Sequence, residues 1–247
     1  VNPTSISATY DDEYTGLPTP TRDGYTFNGW YINDTKINNG DTVKIITNST
    51  ATASWTPITY TISYVLSDVT PGISYPTSGT YDSNVTIDNP TKTGYTFTGW
   101  TISGYEETAR HGNSSNEVTS TIASTNTLVK STYFKNLRKT SGTVTLTANW
   151  SANTYTINYE LNNGTHGSSH PTSAIFDNVV TIDNPTKEGY TFAGWTITSG
   201  LNTSTAKHGT TNSTVTSPIE NSSTKIMSKY FKNLATNGSV TLTANWT

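Results

Sequence analysis

Gly24-Tyr25-Thr26-Phe27-Asn28-Gly29-Trp30 returns in the same chain as Gly94-Tyr95-Thr96-Phe97-Thr98-Gly99-Trp100, and again as Gly189-Tyr190-Thr191-Phe192-Ala193-Gly194-Trp195. Recurrence of a whole segment marks a chain built from repeated supersecondary units. Each copy follows a Pro-Thr-basic step: Pro20-Thr21-Arg22, Pro90-Thr91-Lys92 and Pro185-Thr186-Lys187. Each unit closes on a second tryptophan, Trp55, Trp150 or Trp246, which assigns all 6 tryptophans of the chain to framework positions.

Working outward, the second and third units start near Thr59 and Thr154 and end at Trp150 and Trp246. Their offset is 95 at Tyr60/Tyr155, 97 at His111/His208 and 96 at Trp150/Trp246, so small insertions fall between the motifs and mark loops. The two tryptophans of the first unit are 25 apart, against 50 and 51 in the others. The longer units therefore carry an insert holding a His-Gly pair and a Tyr-Phe-Lys-Asn-Leu run, Tyr133 to Leu137 and Tyr230 to Leu234. This gives 1–56 as a truncated repeat, 57–151 as a complete repeat with an insert at about 101–140, and 152–247 as a complete repeat with an insert at about 196–237.

Pro3-Thr4-Ser5 ahead of Tyr10 parallels Pro76-Thr77-Ser78 ahead of Tyr81 and Pro171-Thr172-Ser173 ahead of Phe176. The first unit thus starts after the segment that the others write as Tyr60-Thr61-Ile62-Ser63-Tyr64-Val65-Leu66 or Tyr155-Thr156-Ile157-Asn158-Tyr159-Glu160-Leu161. A cut chain, proteolysis, or a strand supplied by a neighbouring segment or chain could each account for this.

The local patterns are those of strands. Tyr60, Ile62, Tyr64 and Leu66 share one face of an alternating segment, as do Val144, Leu146, Ala148 and Trp150, and Val240, Leu242, Ala244 and Trp246. Val85-Thr86-Ile87 and Val179-Val180-Thr181-Ile182 predict a further short strand, stopped by Asp-Asn-Pro. In the signature, the first glycine predicts a turn and the second a bulge or a close backbone approach before the tryptophan. Burying one tryptophan removes roughly 200 Å² from water, an upper bound of about 5 kcal/mol. Loss of Trp100 or Trp195 is therefore expected to unfold its own unit alone. The links Thr56-Pro57-Ile58-Thr59 and Ser151-Ala152-Asn153-Thr154 are too short for flexible tethers, and predict a semi-rigid rod.

Composition narrows the function classes. Threonine, serine, asparagine and tyrosine are abundant, only 13% of residues are charged and 11% are aromatic, a strand-forming profile rather than a disordered one. A net charge of −3 with scattered Lys and Arg gives nucleic acid no basic surface. With 0 cysteines, disulfides and thiolate metal sites are excluded. No apolar run approaches a membrane span, so no membrane insertion is expected, and any targeting or anchoring segment would lie outside this sequence.

The opening Tyr-Thr-Ile-x-Tyr, the central Pro-Thr-Lys-x-Gly-Tyr-Thr-Phe-x-Gly-Trp and the closing Leu-Thr-Ala-Asn-Trp together resemble the Listeria/Bacteroides repeat, which includes the B-repeat of an internalin. The resemblance implies a mainly β fold, α+β at most, of small β-grasp, ubiquitin-like units. It also implies a bacterial surface, wall-attached or secreted protein in which the units serve as spacer or adhesion modules without catalytic residues. In a β-grasp unit the first and last strands lie side by side and parallel, so pulling on the ends would shear their ladder. The insert and the absent opening strand of the first unit depart from that pattern.

Candidate sites are few. No cysteine, and no serine with a positioned histidine and acid, offers a nucleophile, and no motif requires a cofactor. His111 and His208 read as turn residues. His166 and His170 stand four apart, but Gly167-Ser168-Ser169 between them argues for a loop rather than a metal-binding helix. Asp88-Asn89 and Asp183-Asn184 lack the spacing of a calcium loop. Asn149 and Asn245, checked as isopeptide partners, find no lysine in the opening strands and face away from the expected core. Trp30, Trp55, Trp100, Trp150, Trp195 and Trp246 are expected to build the core. A ligand contact, if any, is placed on the insert at Tyr133, Phe134, Lys135, Tyr230, Phe231 and Lys232, where an extra strand or one-turn helix is the structural alternative. The partners expected are a host-surface glycan or protein, or neighbouring repeats.

Overall fold

The computed structural model describes residues 4–67, 69, 74–112, 116–124, 133–209, 212–220 and 229–247, and among these the chain is all β with no helix. In the first repeat, β1 (Tyr25–Ile32), β2 (Thr35–Ile37) and β3 (Thr52–Pro57) form one antiparallel sheet in the order β2-β1-β3. The second repeat contains β4 (Thr59–Val65), β5 (Ser78–Thr80), β6 (Asn84–Thr86), β7 (Tyr95–Ser103), β8 (Thr121–Ala123), β9 (Tyr133–Lys135) and β10 (Thr143–Ala152). The third contains β11 (Thr154–Glu160), β12 (Ser173–Ile175), β13 (Val179–Thr181), β14 (Phe192–Ser199), β15 (Lys207–His208), β16 (Ile219–Glu220), β17 (Tyr230–Lys232) and β18 (Ser239–Trp246).

The two complete repeats have the same wiring. Their main sheets run β5-β4-β10-β7-β8 and β12-β11-β18-β14-β16, so the first and last long strands of each repeat are central neighbours. These neighbours are parallel, with Ile62 opposite Val144 and Ile157 opposite Val240. Alternation sets the faces: Tyr60 and Ile62 are buried while Thr59, Thr61 and Ser63 are exposed, and Val144, Leu146 and Ala148 are buried from the neighbouring strand β10. A smaller second layer, β6-β9 or β13-β17-β15, brings Val85 opposite Phe134 and Val180 opposite Phe231. The ladder slips between Phe27 and Gly29 and between Phe192 and Gly194, so the bulge falls at the second glycine of the signature.

The tryptophans divide into two classes, a correction to the expectation of six core residues. Trp100 and Trp195 are 0% and 1% exposed. Trp30, Trp55, Trp150 and Trp246 are half-buried, and Trp55, Trp150 and Trp246 meet the signature phenylalanines Phe27, Phe97 and Phe192 edge to face at 5.3–5.6 Å.

The insert also differs from a single block. In the first repeat β1 turns into β2 through Asn33 and Asp34, both with positive φ, the geometry of a tight hairpin. The second repeat replaces that hairpin with residues 104–120 and then lengthens the return with 124–142, which carries β9. Both additions put side chains into the core: Ala109 and Val118 from the first, Phe134 and Leu137 from the second, all 5% exposed or less. Among the described residues of the first repeat the buried core is Tyr14, Ile32, Ile37 and Val43, with Leu17, Trp30, Ile45 and Ala51 packed against it.

Two compact units contain the described residues, those of 1–67, 71–90 and 99–149, and those of 68–70, 91–98 and 150–247. This grouping differs from a three-way division at the links because the 91–98 segment packs on Phe176 and Asp177 of the third repeat.

Candidate functional site

A polar cluster that recurs in the two complete repeats surrounds an aspartate in a tight turn. Asp82 and Asp177 follow the aromatic residues Tyr81 and Phe176, and their φ of 63° and 67° place them in the left-handed region, which short side chains tolerate. In the first unit the hydroxyl of Tyr25 donates to Asp82 Oδ2 at 2.5 Å. In the second unit the hydroxyl of Tyr95 donates to Asp177 Oδ2.

The insert holds the other side of each aspartate. The Asp82 amide donates to Asn136 Oδ1 at 2.6 Å, Asn136 Nδ2 donates back to Oδ1 at 3.2 Å, and Lys135 Nζ stands 3.9 Å from Oδ1. At Asp177 the same three contacts, to Asn233 and Lys232, measure 2.6, 3.0 and 3.4 Å. The Tyr-Phe-Lys-Asn-Leu run is therefore split by its strand geometry: Phe134, Leu137, Phe231 and Leu234 are 0% exposed, while Lys and Asn turn to the aspartate. Of the proposed ligand contacts, Phe134 and Phe231 are core residues, Lys135 and Lys232 are ion-paired, Tyr133 is 41% exposed and Tyr230 half-buried.

Electrostatics follow the hydrogen bonds. The Tyr25 hydroxyl, with smaller help from Asn136 and Lys135, holds Asp82 below the ordinary carboxylate range. At Asp177 the largest cause is Asn233, followed by Tyr95, and again the carboxyl is held low. Both tyrosines are raised, chiefly by donating to these carboxylates.

The signature supplies the opposing surface. Gly24 and Gly94 have φ of 77° and 79°, and a Cβ on either would fall 2.2 or 2.4 Å from a ring carbon of Tyr81 or Phe176. Arg22, Lys92 and Lys187 lie over the rings of Tyr25, Tyr95 and Tyr190 at 3.7, 4.4 and 4.2 Å, which explains the basic residue of each Pro-Thr-basic step. The links are pinned as well. The Ile58 amide donates to Gly24 O at 2.8 Å and its carbonyl accepts from Tyr81 at 2.9 Å. Asn153 does the same between Gly94, at 2.9 Å, and Phe176, at 2.8 Å. Sequence reasoning missed Asp82 and Asp177; the recurrence of an aromatic-Asp step as Tyr10-Asp11, Tyr81-Asp82 and Phe176-Asp177 was the available signal.

The remaining candidates fall elsewhere. His111 and His208 are buried at 3% and 4% against Phe134 and Phe231. The rings of His166 and His170 stack at 4.2 Å, with His166 against Tyr159. Among the described residues no three His, Asp or Glu side chains gather as a metal site. Asn149 and Asn245 donate to the hydroxyls of Thr101 and Thr196 at 3.0 Å. Asp183 is a loop anchor, hydrogen-bonded to Ser168 and the Ser169 amide and paired with Lys229 at 2.8 Å. Among the described residues no helix is long and apolar enough to cross a membrane.

Comparison with known proteins finds relatives and a repeat family. A protein of Evansella cellulosilytica named "Putative membrane protein" is 28% identical over 199 residues, covering 75% of this chain and 25% of its own length. A second from the same organism, named "Putative Gly-rich membrane protein", is 28% identical over 200 residues, covering 77% of this chain and 19% of its own. The chain thus spans a quarter or less of these relatives. No solved structure matches. The Listeria-Bacteroides repeat domain matches three times, over residues 1–54, 60–129 and 155–220, and the chain belongs to that family.

Proposed function

We propose that this chain is a non-catalytic segment of a bacterial surface protein, displayed outside the cell, where its repeats act as a semi-rigid spacer in adhesion. The observation carrying the reading is the duplicated link: at Ile58 and again at Asn153 the connecting residue bonds the glycine before it and the aromatic residue after it. A tether meant to flex would leave those groups to water, whereas here each link is fixed by two backbone hydrogen bonds and an adjacent tyrosine–aspartate contact. Assignment of the repeats to the β-grasp type is supported by the sheet order and by the parallel pairing of first and last strands.

Those parallel strands suit a part under load, since tension at the two ends of a repeat would act along the ladder and must break its bonds together. Stretching single molecules of the full chain tests the function. The expected trace has discrete high-force events in the complete repeats; smooth extension at low force throughout would remove the load-bearing role. The second reading, recognition of a glycan or host protein by the insert, is favoured only by the exposure of Tyr133. A glycan array probed with the chain and with Tyr133→Ala decides it.

A further inference from the structure

The inserts of the two complete repeats set like charges against each other. In the third repeat Lys207 of β15 lies directly opposite Lys232 of β17, and in the second Arg110 lies directly opposite Lys135 of β9. Residues facing each other in this way have Cβ atoms roughly 4.5–5.5 Å apart, and like charges there work against the fold. The second repeat offsets both cations, Arg110 with Glu117 at 3.8 Å and Lys135 with Asp82 at 3.9 Å. The third offsets one. Lys232 pairs with Asp177 at 3.4 Å, but the place of Glu117 is taken by Thr214, whose hydroxyl accepts from Lys207 Nζ at 2.9 Å. Among the described residues Lys207 has no acidic partner. The same row of side chains differs once more: Val179, opposite Lys232 on the other neighbouring strand, is 51% exposed, where the second repeat has Asn84 opposite Lys135. Val180, Phe231 and His208 are buried, so by alternation Val179, Lys232 and Lys207 share the outer face of this layer.

We propose that this outer face of the third repeat binds a uronic acid unit of an acidic polysaccharide, with its carboxylate received by Lys207 and Lys232 and the C–H face of its ring set against Val179. The inference rests on the second reading above, recognition by the insert, and gives it a ligand class. A carboxylate between two facing ammonium groups relieves a repulsion that the fold otherwise carries, and each contact is a charge-assisted hydrogen bond. In the second repeat Glu117 and Asp82 already do this, so the equivalent face is satisfied from within. A sugar fits better than an acidic peptide. β17 pairs with β13 on one side and β15 on the other, so it has no free edge to which an extended peptide could add, and the ligand is read by side chains alone. Thr181 and Tyr230 in the adjoining row and Thr214 beside Lys207 add hydroxyls that match those of a sugar.

The test is calorimetric titration of the full chain with a short oligogalacturonate, with its methyl ester, which keeps the sugar and removes the charge, and with oligoglutamate. The expected result is binding of the oligogalacturonate that weakens with added salt, and no binding of the ester. Thr214→Glu, which restores the acid of the second repeat, and Lys207→Gln are each expected to weaken binding by about fivefold, while Thr214→Gln leaves it unchanged. Melting points no lower than that of the parent chain show that these variants fold. Equal binding of acid and ester, oligoglutamate binding as tightly as the sugar, or Lys207→Gln and Thr214→Glu without effect would overturn the proposal. If oligogalacturonate does not bind while a neutral glycan does, and Tyr133→Ala abolishes that binding, the uronic acid site is overturned and recognition by the insert stands.

Discussion

Tyr25 and Asp82 meet through a 2.5 Å hydrogen bond although 57 positions separate them, and Tyr95 meets Asp177 in the same way 82 positions apart. A contact that recurs with its whole surroundings is a designed coupling between a signature turn and the aromatic-Asp turn that follows it. Tyr95→Phe and Asp177→Ala should therefore be non-additive in a urea-denaturation cycle. Exposure of the pair limits the coupling to under about 1 kcal/mol. Full additivity would mean that the hydroxyl and the carboxylate act independently.

Core truncation should rank the tryptophans by burial. Trp195→Ala is expected to cost about 3–5 kcal/mol, because a fully buried indole leaves a cavity that the sheet cannot close. Trp246→Ala should cost clearly less, since that ring is half-buried and loses mainly its contact with Phe192 and its hydrogen bond to Leu161 O. Urea midpoints of the two variants check the order, and amide exchange should show the loss in Trp195→Ala confined to the third repeat.

Much of this architecture was legible because repetition aligns the chain against itself. The alternation of Tyr60, Ile62, Val144 and Leu146 named the central strands, and the second glycine of the signature marked the bulge. What escaped has a physical cause in each case. Burial of Trp195 goes with a core cluster that includes Phe231 and Leu234, which come from a segment with no helical or strand periodicity of its own. Asp82 and Asp177 look like ordinary turn residues until a tyrosine from a distant turn is brought to them. Lys135 and Lys232 read as candidate ligand contacts for the same reason, whereas each is paired with an aspartate.

Acid should weaken the fold in a defined window. Asp82 and Asp177 are held below the ordinary carboxylate value chiefly by their hydrogen bonds to Tyr25 and Asn233, and Asp183 is lowered to about 2, chiefly by Lys229. A carboxylate with a depressed folded-state pKa contributes stability above its unfolded value of 3.8 and loses it as pH falls through the folded one. Melting temperature is therefore expected to fall as pH drops from about 4 toward 2. Asp183→Asn should flatten part of that slope, and an unchanged slope would assign the acid sensitivity to other groups.

Tyr190 separates the cost of losing a signature hydroxyl from the cost of losing its aspartate. It occupies the same turn as Tyr95, with Gly189 at φ 76° and Lys187 over its ring, yet it is 55% exposed. A Cβ on Gly189 would meet nothing within 4 Å, where one on Gly94 would strike Phe176. The turn geometry is thus shared, while Tyr190 has no contact like that of Tyr95 with Asp177 among the described residues. Tyr190→Phe should leave the melting temperature unchanged while Tyr95→Phe lowers it, a comparison that calorimetry makes directly. Equal losses would place the hydroxyl's contribution inside the turn itself. A loss at Tyr95 alone would place it in the contact with Asp177, which is the result the geometry predicts.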